Sequence, residues 1–482
     1  MLNFTPDQLP QIHALTEEQI HDMHSATLKI LERTGVEVRH PRALELLREA
    51  GAKVEGERVR IPAELVEKAI QSAPAKVSVW SRTGENEMAL EANKVYFGTG
   101  SDTPSTMDPR TGERRPPRFQ DVVDIARLCD ALTNYDFVMS MGIINDAPAQ
   151  GNYLYGFAAM ATGSSKPIIC TANHADDMAA IYKMAVAIAG SEEALRAKPI
   201  FGHYAEPITP LIHSPTGVGK ILFCAEHGIP VAYVSGMLAG GTAPVTLAGA
   251  CALANAEGLS GLVIHQLAAP GAPFIFGTNT TVIDMTNSTC VYGSPEWRLT
   301  DALFADLSRH YELPVWATAG TTDSKVVDAQ AGLEAMFSLN MSILSRGNLV
   351  HDLGYIDSGL TSSMEMILLC DEIIQMISVP LRGMPFDEAR FALDEIDSVG
   401  PGGHFLDTDH TVRYFRTDHF LPRLIDRQNF DGWSKSGSKS LAQRANARVL
   451  EILDSHQPAP LPDEAKAVIE EVLANPSEEQ QG

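Results

Sequence analysis

Eight short runs of β-branched and aromatic residues alternate with longer helical segments between residues 93 and 380. This alternation predicts successive parallel βα units, because parallel strands need a long crossover connection. The predicted strands are 95–100, 135–142, 167–172, 199–204, 230–235, 273–278, 314–319 and 348–353. Eight strand–helix units are the number that closes a barrel, so we predict an α/β fold with a (β/α)8 TIM barrel as the catalytic domain over 93–380. An open, doubly wound sheet is the alternative.

The segments on either side of the barrel have a different pattern. Residues 1–92 begin with helical spacing, for which Thr16 and Gln19 form a possible capping box, and end in short alternating runs typical of a β-ribbon. Residues 381–482 are polar, punctuated by Gly and Pro, and helical in spacing. We therefore predict an N-terminal helical and β-ribbon extension and a C-terminal helical cap.

Composition restricts the class of protein. The chain has 37 Lys and Arg against 61 Asp and Glu, a formal net charge of −24. This argues against nucleic acid and membrane as partners, since both favour a basic surface. The first residues lack the basic start and the apolar stretch of a signal peptide, so we expect a cytoplasmic protein. The most apolar region, 229–278, is interrupted by Glu257 and His265, which indicates a buried strand and helix.

The six cysteines have no C-x-x-C or Cys–His spacing, so we expect buried, reduced thiols and no metal bound by this chain. Other familiar motifs are also missing. The segment 213–220, HSPTGVGK, looks like a phosphate-binding loop but lacks the spacing G-x-x-x-x-G-K-[ST]. Neither G-x-S-x-G nor H-E-x-x-H is present. Any reaction must therefore depend on a positioned substrate or on a reagent that a partner brings.

In a barrel of this type the active site lies at the carboxyl ends of the strands. Polar and aromatic side chains are found at or just beyond those ends, and the candidates for substrate binding are Phe97, Asp102, His203, Glu206, Trp316, His351 and Tyr355. Aromatic rings beside carboxylates are what a quaternary ammonium group needs, through cation–π attraction and charge. Each candidate also has a purely structural alternative: a turn cap, a core histidine, a loop carboxylate or a packing aromatic.

Four segments of the chain resemble a known family. They are FGTGSDTPSTMD (97–108), TTDSKVVDAQAGLEA (321–335), NLVHDLGYIDSGLTSSMEMILLCDEI (348–373) and IDSVGPGGHFLDTDHTVRYF (396–415). Together and in this order they resemble the trimethylamine methyltransferase family. The resemblance implies a (β/α)8 barrel that takes a methyl group from a small methylated amine and passes it to a corrinoid-binding protein. The corrinoid (cobalamin) would then be supplied by that partner.

One difference from the family bears on the substrate. The founding trimethylamine enzymes carry pyrrolysine after the last strand, where our alignment places Met366, or Glu365 if the register shifts by one. The chain thus resembles the members without pyrrolysine, which act on quaternary amines such as glycine betaine, proline betaine or carnitine-like compounds. On this interpretation Phe97, Trp316 and Tyr355 supply rings, and Asp102 or Glu206 supplies charge. His351 bonds a substrate carboxylate.

Two other functions remain open at this point. A barrel lyase or aldolase needs a Schiff-base lysine or a metal triad, and Lys325 is the only lysine near a late strand end. A betaine-binding or sensing barrel would have the same pocket without turnover. The sequence leaves open which methylated amine is used and what accepts the methyl group. We expect a homo-oligomer, since enzymes of this size are often symmetric assemblies.

Overall fold

The structure is a computed structural model that describes residues 2–3, 10–148 and 151–475. The segment before the barrel contains β1 (Leu2–Asn3), α1 (Glu17–Lys29), β2 (Val36–Val38), α2 (Pro41–Glu49), β3 (Lys53–Glu55), β4 (Arg58–Arg60), α3 (Ala63–Ser72), β5 (Val77–Trp80) and β6 (Glu87–Leu90). The predicted capping box is confirmed: the Thr16 side chain accepts from the backbone of Gln19, whose side chain accepts from the backbone of Thr16.

Strands and helices alternate through the rest of the chain. The strands are β7 (Lys94–Phe97), β8 (Ser105–Met107), β9 (Arg114–Arg115), β10 (Ile168–Cys170), β11 (Phe201–Ala205), β12 (Ile212–His213), β13 (Val231–Tyr233), β14 (Leu238–Ala239), β15 (Phe274–Gly277), β16 (Thr281–Val282), β17 (Val315–Thr318), β18 (Leu349–His351), β19 (Tyr355–Ile356) and β20 (Thr361–Ser362).

The helices are α4 (Phe119–Ala131), α5 (Asn152–Gly163), α6 (Ala175–Ala189), α7 (Glu192–Ala197), α8 (Pro215–His227), α9 (Leu247–Ala268), α10 (Pro295–Tyr311), α11 (Ala329–Ser345), α12 (Met364–Leu381), α13 (Glu388–Phe391), α14 (Leu393–Val399), α15 (Asp409–Asp418), α16 (Phe430–Lys435), α17 (Leu441–Ser455) and α18 (Asp463–Ala474).

Seven of the eight predicted strands form one parallel sheet, in the order β7-β18-β17-β15-β13-β11-β10, with β1 antiparallel at its edge. From β10 to β18 each of these strands pairs with the next in the chain, and the last, β18, pairs with the first, β7. A doubly wound sheet would instead reverse its strand order at a switch point. The fold is therefore mixed α/β with a seven-stranded parallel sheet, and the doubly wound alternative is wrong.

The remaining predicted strand, 135–142, is not a regular strand. It makes single parallel bridges, Gly98 to Phe137 and Val138 to Ile168, and so lies between β7 and β10. The backbone N–H of Val138 donates to Pro167 (3.0 Å) and that of Ile169 donates to Val138 (3.0 Å). The extended conformation ends at Met141, which has a φ of +50°. A side chain at positive φ is uncommon, and the sequence pattern gives no sign of it.

Alternate residues of the strands face two separate buried clusters, as a period of two requires. The inner cluster combines Tyr96, Phe137, Met139, Ile169, Ala232, Val234, Ile275, Trp316 and Leu349 with Val77, Val79, Met88 and Leu90 of the β5–β6 hairpin. The hairpin lies at the amino ends of the strands, because the N–H of Trp80 donates to Pro199 just before β11 (2.7 Å). It closes that end of the sheet with apolar side chains.

The outer cluster packs the sheet against the helices. Within the described residues, α9 alone is long and apolar enough to cross a membrane, but 78% of its most apolar window is buried inside the protein. It packs against α1, α2, α3 and α8 as a core helix, which confirms the interpretation of 229–278 as a buried strand and helix. Five of the six cysteines are buried and Cys290 is half-buried; all six are free thiols.

Candidate active site

Three rings stack at the carboxyl ends of β11, β17 and β18. The rings of Tyr204 and Trp316 are parallel, 4.8 Å apart with 6° between their planes. The His351 ring lies 4.0 Å from Trp316 and 6.3 Å from Tyr204. All three point to the inside of the sheet, since Trp316 belongs to the inner cluster and Tyr204 packs against it. Trp316 and His351 are buried, whereas Tyr204 is half-buried and forms the outer surface of the stack.

Asn279, which follows β15, connects this stack to a carboxylate. Its Nδ2 donates to the Tyr204 hydroxyl (3.0 Å) and to Oε1 of Glu206 (3.5 Å). Its Oδ1 accepts from Trp316 Nε1 (3.1 Å) and from the Thr318 hydroxyl (3.2 Å). The Tyr204 hydroxyl also donates to Glu206. The Glu206 carboxylate is thereby fixed beside the outer ring of the stack.

Glu206 is solvent-exposed by surface area, yet the surrounding protein raises its pKa. Burial is the largest cause of the shift, and the hydrogen bonds from Tyr204 and Asn279 oppose it by stabilising the charged form. The same burial raises the pKa of the Tyr204 hydroxyl well above its usual value, so that group stays a neutral donor.

His351 is held on both sides of its ring. Its Nδ1 lies 2.6 Å from Oδ1 of Asp352, and its Nε2 lies 2.9 Å from the Thr318 hydroxyl. Asp352 adopts a φ of +70°. Gly100 makes this arrangement possible, because a Cβ there would lie 2.3 Å from Oδ1 of Asp352 and 2.2 Å from Cζ of Tyr355. The glycine in the loop after β7 therefore lets it pack directly on the loop after β18.

We call the opening at the carboxyl ends of the parallel strands the mouth. A second acidic group, Asp102, lies there in the loop after β7. The hydroxyls of Ser140 and Thr171 each donate to Oδ1 of Asp102 at 3.2 Å, and burial raises the pKa of this carboxyl. Burial is the largest cause that raises the pKa of Tyr153 to about 12, and the charge of Asp102 adds to it. Lys220, whose charge lowers the pKa of Asp102 in opposition to burial, donates from Nζ to the carbonyl of Ala172 (2.7 Å).

Sequence comparison decides the family. The family described as trimethylamine methyltransferase (MTTB) matches residues 2–480. The chain belongs to this family. It is 34% identical over 473 residues to a glycine betaine methyltransferase of Desulfitobacterium hafniense strain Y51, covering 98% of each chain. It is 33% identical over 466 residues to trimethylamine methyltransferase MttB of D. hafniense strain DSM 10664 / DCB-2, covering 96% of this chain and 94% of that one.

The fold agrees with this membership. The crystal structure of the Methanosarcina barkeri monomethylamine methyltransferase (MtmB) superposes with a TM-score of 0.52 at 10% identity, over 92% of this chain and 88% of that chain. At that identity the likeness concerns the fold alone. The family makes this chain a methyltransferase, and neither a lyase nor a sensing barrel is favoured. Lys325, on which the lyase depended, is exposed and bonds the backbone carbonyl of Asp323 (2.8 Å).

The structure brings some of the predicted site residues together and separates others. Trp316, His351 and Glu206 meet in one network, and Tyr355 holds the neighbouring loop by donating to the carbonyl of Ser101. Asp102 lies in the same mouth but bonds other partners.

Two predicted residues face away from the mouth. Phe97 belongs to the outer cluster, and His203 alternates with Tyr204 on β11, so both lie between sheet and helices. Burial lowers the pKa of His203 well below its usual value, and the side chain is buried. Their contact with substrate remains a prediction.

Met366 and Glu365 lie in the first turn of α12. Met366 is fully buried in the apolar core, and its N–H donates to the Ser363 hydroxyl that caps the helix (3.2 Å). Glu365 is half-buried and accepts from Asn446 of α17 (2.8 Å). Neither joins the ring stack. Among the described residues, no group of three or more His, Cys, Asp or Glu is arranged to hold a metal ion.

The sequence analysis missed Asn279, which makes more hydrogen bonds in the network than any predicted residue. It lies two residues after β15, at the same end of the sheet as Glu206 and His351. Applying the strand-end rule to the sixth predicted strand would have found it. His203 was chosen as a substrate-binding candidate in place of its neighbour Tyr204. Only one of two consecutive strand residues faces the mouth, and here it is Tyr204.

Proposed function

We propose that this chain transfers a methyl group from a quaternary ammonium compound of the glycine betaine type to the cobalt of a corrinoid carried by a partner protein, leaving a tertiary amine. The observation that carries the proposal is the accessible Tyr204 ring, stacked on Trp316 and bonded to the Glu206 carboxylate. The relative named glycine betaine methyltransferase supports this substrate class.

The mouth is suited to a permanent cation. A quaternary ammonium group is attracted to the face of an aromatic ring, by about 2 kcal/mol or more when water is excluded. A carboxylate a few ångströms away adds charge attraction. Trp316 and Asn279 fix the ring and the carboxylate before substrate arrives, so little ordering remains to be done on binding. The surplus of acidic residues over the whole chain attracts cations as well.

The chemistry needs little from the protein beyond position. The reduced cobalt of the corrinoid would supply the nucleophile. The C–N bond breaks with its electron pair on nitrogen, and since that nitrogen is already cationic the departing tertiary amine is neutral. No general acid is needed, in agreement with the absence of pyrrolysine from the sequence. The residues of this chain hold the cation, direct one methyl group outward and exclude water.

We assign roles within this proposal as follows. Tyr204 and Trp316 form the cation-binding surface, Glu206 faces the nitrogen, and Asn279 positions all three. His351 supports Trp316, since its two nitrogens already have partners in Asp352 and Thr318. Asp102 adds charge from the opposite side.

The architecture is part of the proposal. The two bridges of segment 135–142 support a closed (β/α)8 barrel over 93–380, with 1–92 and 381–482 as added segments. The closed amino end leaves the carboxyl end as the entrance for both the amine and the corrinoid partner. We also propose a cytoplasmic enzyme, in agreement with the burial of α9, the one helix of the described residues that is long and apolar enough to cross a membrane.

The test is a methyl-transfer assay. The purified chain is incubated with a reduced corrinoid protein and, in turn, glycine betaine, proline betaine, carnitine and trimethylamine. We expect one quaternary amine to methylate the cobalt, seen spectroscopically, with one tertiary amine released per methyl group. Methylation from trimethylamine alone would contradict the substrate class. No methylation from any of them, with folded protein and reducible corrinoid, would overturn the proposal.

A further inference from the structure

Glu257 is a buried carboxylate that the proposed mechanism does not use. It lies on α9 and is 0% exposed. A buried carboxylate is costly unless hydrogen bonds satisfy it. Here both oxygens are used: Oε1 accepts from the backbone N–H of Leu211, and Oε2 accepts from the Ser235 hydroxyl (2.6 Å). Each donor belongs to a loop at the carboxyl ends of the parallel strands.

The first of these loops carries Glu206. It connects β11 to β12 and contains Leu211, whose φ is +62°. The backbones of Ile208 and Ile212 bond each other in both directions (2.8 and 2.9 Å), so the loop is tightly closed. Leu211 is held in an uncommon backbone conformation, and its N–H has Glu257 as acceptor. A contact that fixes Leu211 therefore also fixes the loop on which Glu206 lies.

The second loop follows β13 and contacts both Glu206 and Asn279. The carbonyl of Ser235 accepts from the backbone N–H of Asn279 (2.7 Å). The next residue, Gly236, packs on the Glu206 carboxylate, since a Cβ there would lie 3.6 Å from its Oε1. Through its hydroxyl and its carbonyl, Ser235 therefore links Glu257 to Asn279.

The three strands that lead to these residues are neighbours in the sheet. Strand β13 pairs with β11 on one side and with β15 on the other. Glu206 follows β11, Ser235 follows β13 and Asn279 follows β15. Glu257 reaches the first two loops directly and the third through Ser235. One side chain of α9 thus fixes the carboxylate of the mouth and the amide that orients it.

The contacts of Glu257 do not depend on its charge. Burial raises its pKa to about 7 and the charge of Glu206 adds to the shift, while the hydrogen bonds from Ser235 and Leu211 oppose it. A protonated carboxyl still accepts from Leu211 at one oxygen, and its other oxygen donates to the Ser235 hydroxyl, which is both donor and acceptor. We therefore expect an amide at this position to keep both contacts.

We infer that Glu257 is a positioning residue for methyl transfer, which holds the loops of Glu206 and Asn279 in the geometry that places the cation against the Tyr204 ring. Because Glu257 is fully buried, it acts through these residues and does not touch the substrate. The inference rests on the proposed function, since it concerns the same mouth.

The test compares Glu257→Leu, Glu257→Gln and Asn255→Leu in the full-length protein. Asn255 is the matched control: it lies on the same helix, is equally buried, and its Nδ2 donates to Thr27 of α1 and Tyr311 of α10 (2.9 Å each). With reduced corrinoid protein, we expect Glu257→Leu to lower kcat/KM for glycine betaine roughly tenfold or more, because displaced binding groups misalign the reacting methyl group. Glu257→Gln and Asn255→Leu should stay within about threefold of wild type.

A second background shows whether Glu257 acts through Glu206. In the Glu206→Gln protein, Glu257→Leu should lower kcat/KM by a smaller factor than in the wild type, because residues of one network are not additive. The inference is overturned by an equal loss in both backgrounds, by unchanged kcat/KM in Glu257→Leu, or by an equal loss in Asn255→Leu. If Glu257→Leu does not fold, Ser235→Ala replaces it, with an expected loss of about threefold, and no loss contradicts the inference.

Hydrogen exchange tests the same contacts without the reaction. The Leu211 amide should exchange about tenfold faster in Glu257→Leu than in wild type, and at the wild-type rate in Glu257→Gln and Asn255→Leu. Unchanged exchange in Glu257→Leu would contradict the inference even if activity is lost. A wild type that transfers no methyl group from any amine overturns the proposed function, and exchange then still decides whether Glu257 holds the loop of Glu206.

Discussion

The two ends of the parallel sheet are built from the same strands and differ completely in what lies between them. At the amino ends, Val79 and Leu90 of the β5–β6 hairpin are fully buried in an apolar cluster. At the carboxyl ends, Tyr204, Glu206 and Asn279 form a polar network with access to solvent. At both ends, strand alternation decides which side chains face inward. Whether that end of the sheet becomes apolar core or a binding site depends on the segment that covers it. The hairpin thus leaves one entrance.

The amino end can be disrupted without touching the other. Leu90→Ala removes a fully buried side chain of the hairpin and should destabilise the protein by about 2–5 kcal/mol. The thermal midpoint at a fixed scan rate measures the effect, with Leu333→Ala as the exposed control, expected to change it little. At low temperature kcat/KM should stay within about twofold of wild type. A large loss of kcat/KM in folded Leu90→Ala protein would mean that the two ends are coupled.

At the carboxyl end, Glu206→Gln keeps the size of the side chain and removes the charge. We expect kcat/KM for a quaternary amine to fall roughly 30- to 100-fold, since a carboxylate fixed beside a cation in a partly desolvated site contributes about 2–3 kcal/mol. Thermal stability should change little. Glu67→Gln is the matched control, because Glu67 pairs with His24 in the N-terminal segment and lies outside the ring stack. An equal loss in both variants would argue against a specific role for Glu206.

The same carboxylate predicts a pH dependence. Burial raises the pKa of Glu206, so its charge is lost on acidification at a higher pH than for an ordinary glutamate. The quaternary nitrogen does not titrate, and substrate affinity should therefore fall as pH decreases through the raised pKa, by at most tenfold per pH unit. Steady-state kcat/KM against pH measures this. The acidic limb should be absent in Glu206→Gln; an identical limb in the variant would assign the titration to another group.

The sequence predicts the repeated βα units and the face that carries the site, because both depend on periodicity and on strand ends. Segment 135–142 lies at its predicted place beside β7 and β10 but makes only two single bridges there, and the sequence pattern gives no sign of the positive φ of Met141 near its end. The sequence analysis selected Trp316, His351 and Glu206 because they stand at strand ends, but the network that joins them depends on Asn279, whose partners come from three separate segments of the chain. Side-chain contacts over such separations have no local signature.

The last comparison, with the smallest expected effect, tests whether strand alternation decides which aromatic ring reaches the mouth. Phe97 on β7 and Trp316 on β17 are both buried aromatic residues of the parallel sheet, but Phe97 faces the helices and Trp316 faces the mouth. Phe97→Leu should lower stability by about 1–2 kcal/mol and leave KM for the quaternary amine within about twofold of wild type. Trp316→Leu should raise KM roughly tenfold through the lost cation–π surface. If the two substitutions raise KM equally, Phe97 contributes a ring to the cation site and the assignment by alternation is wrong.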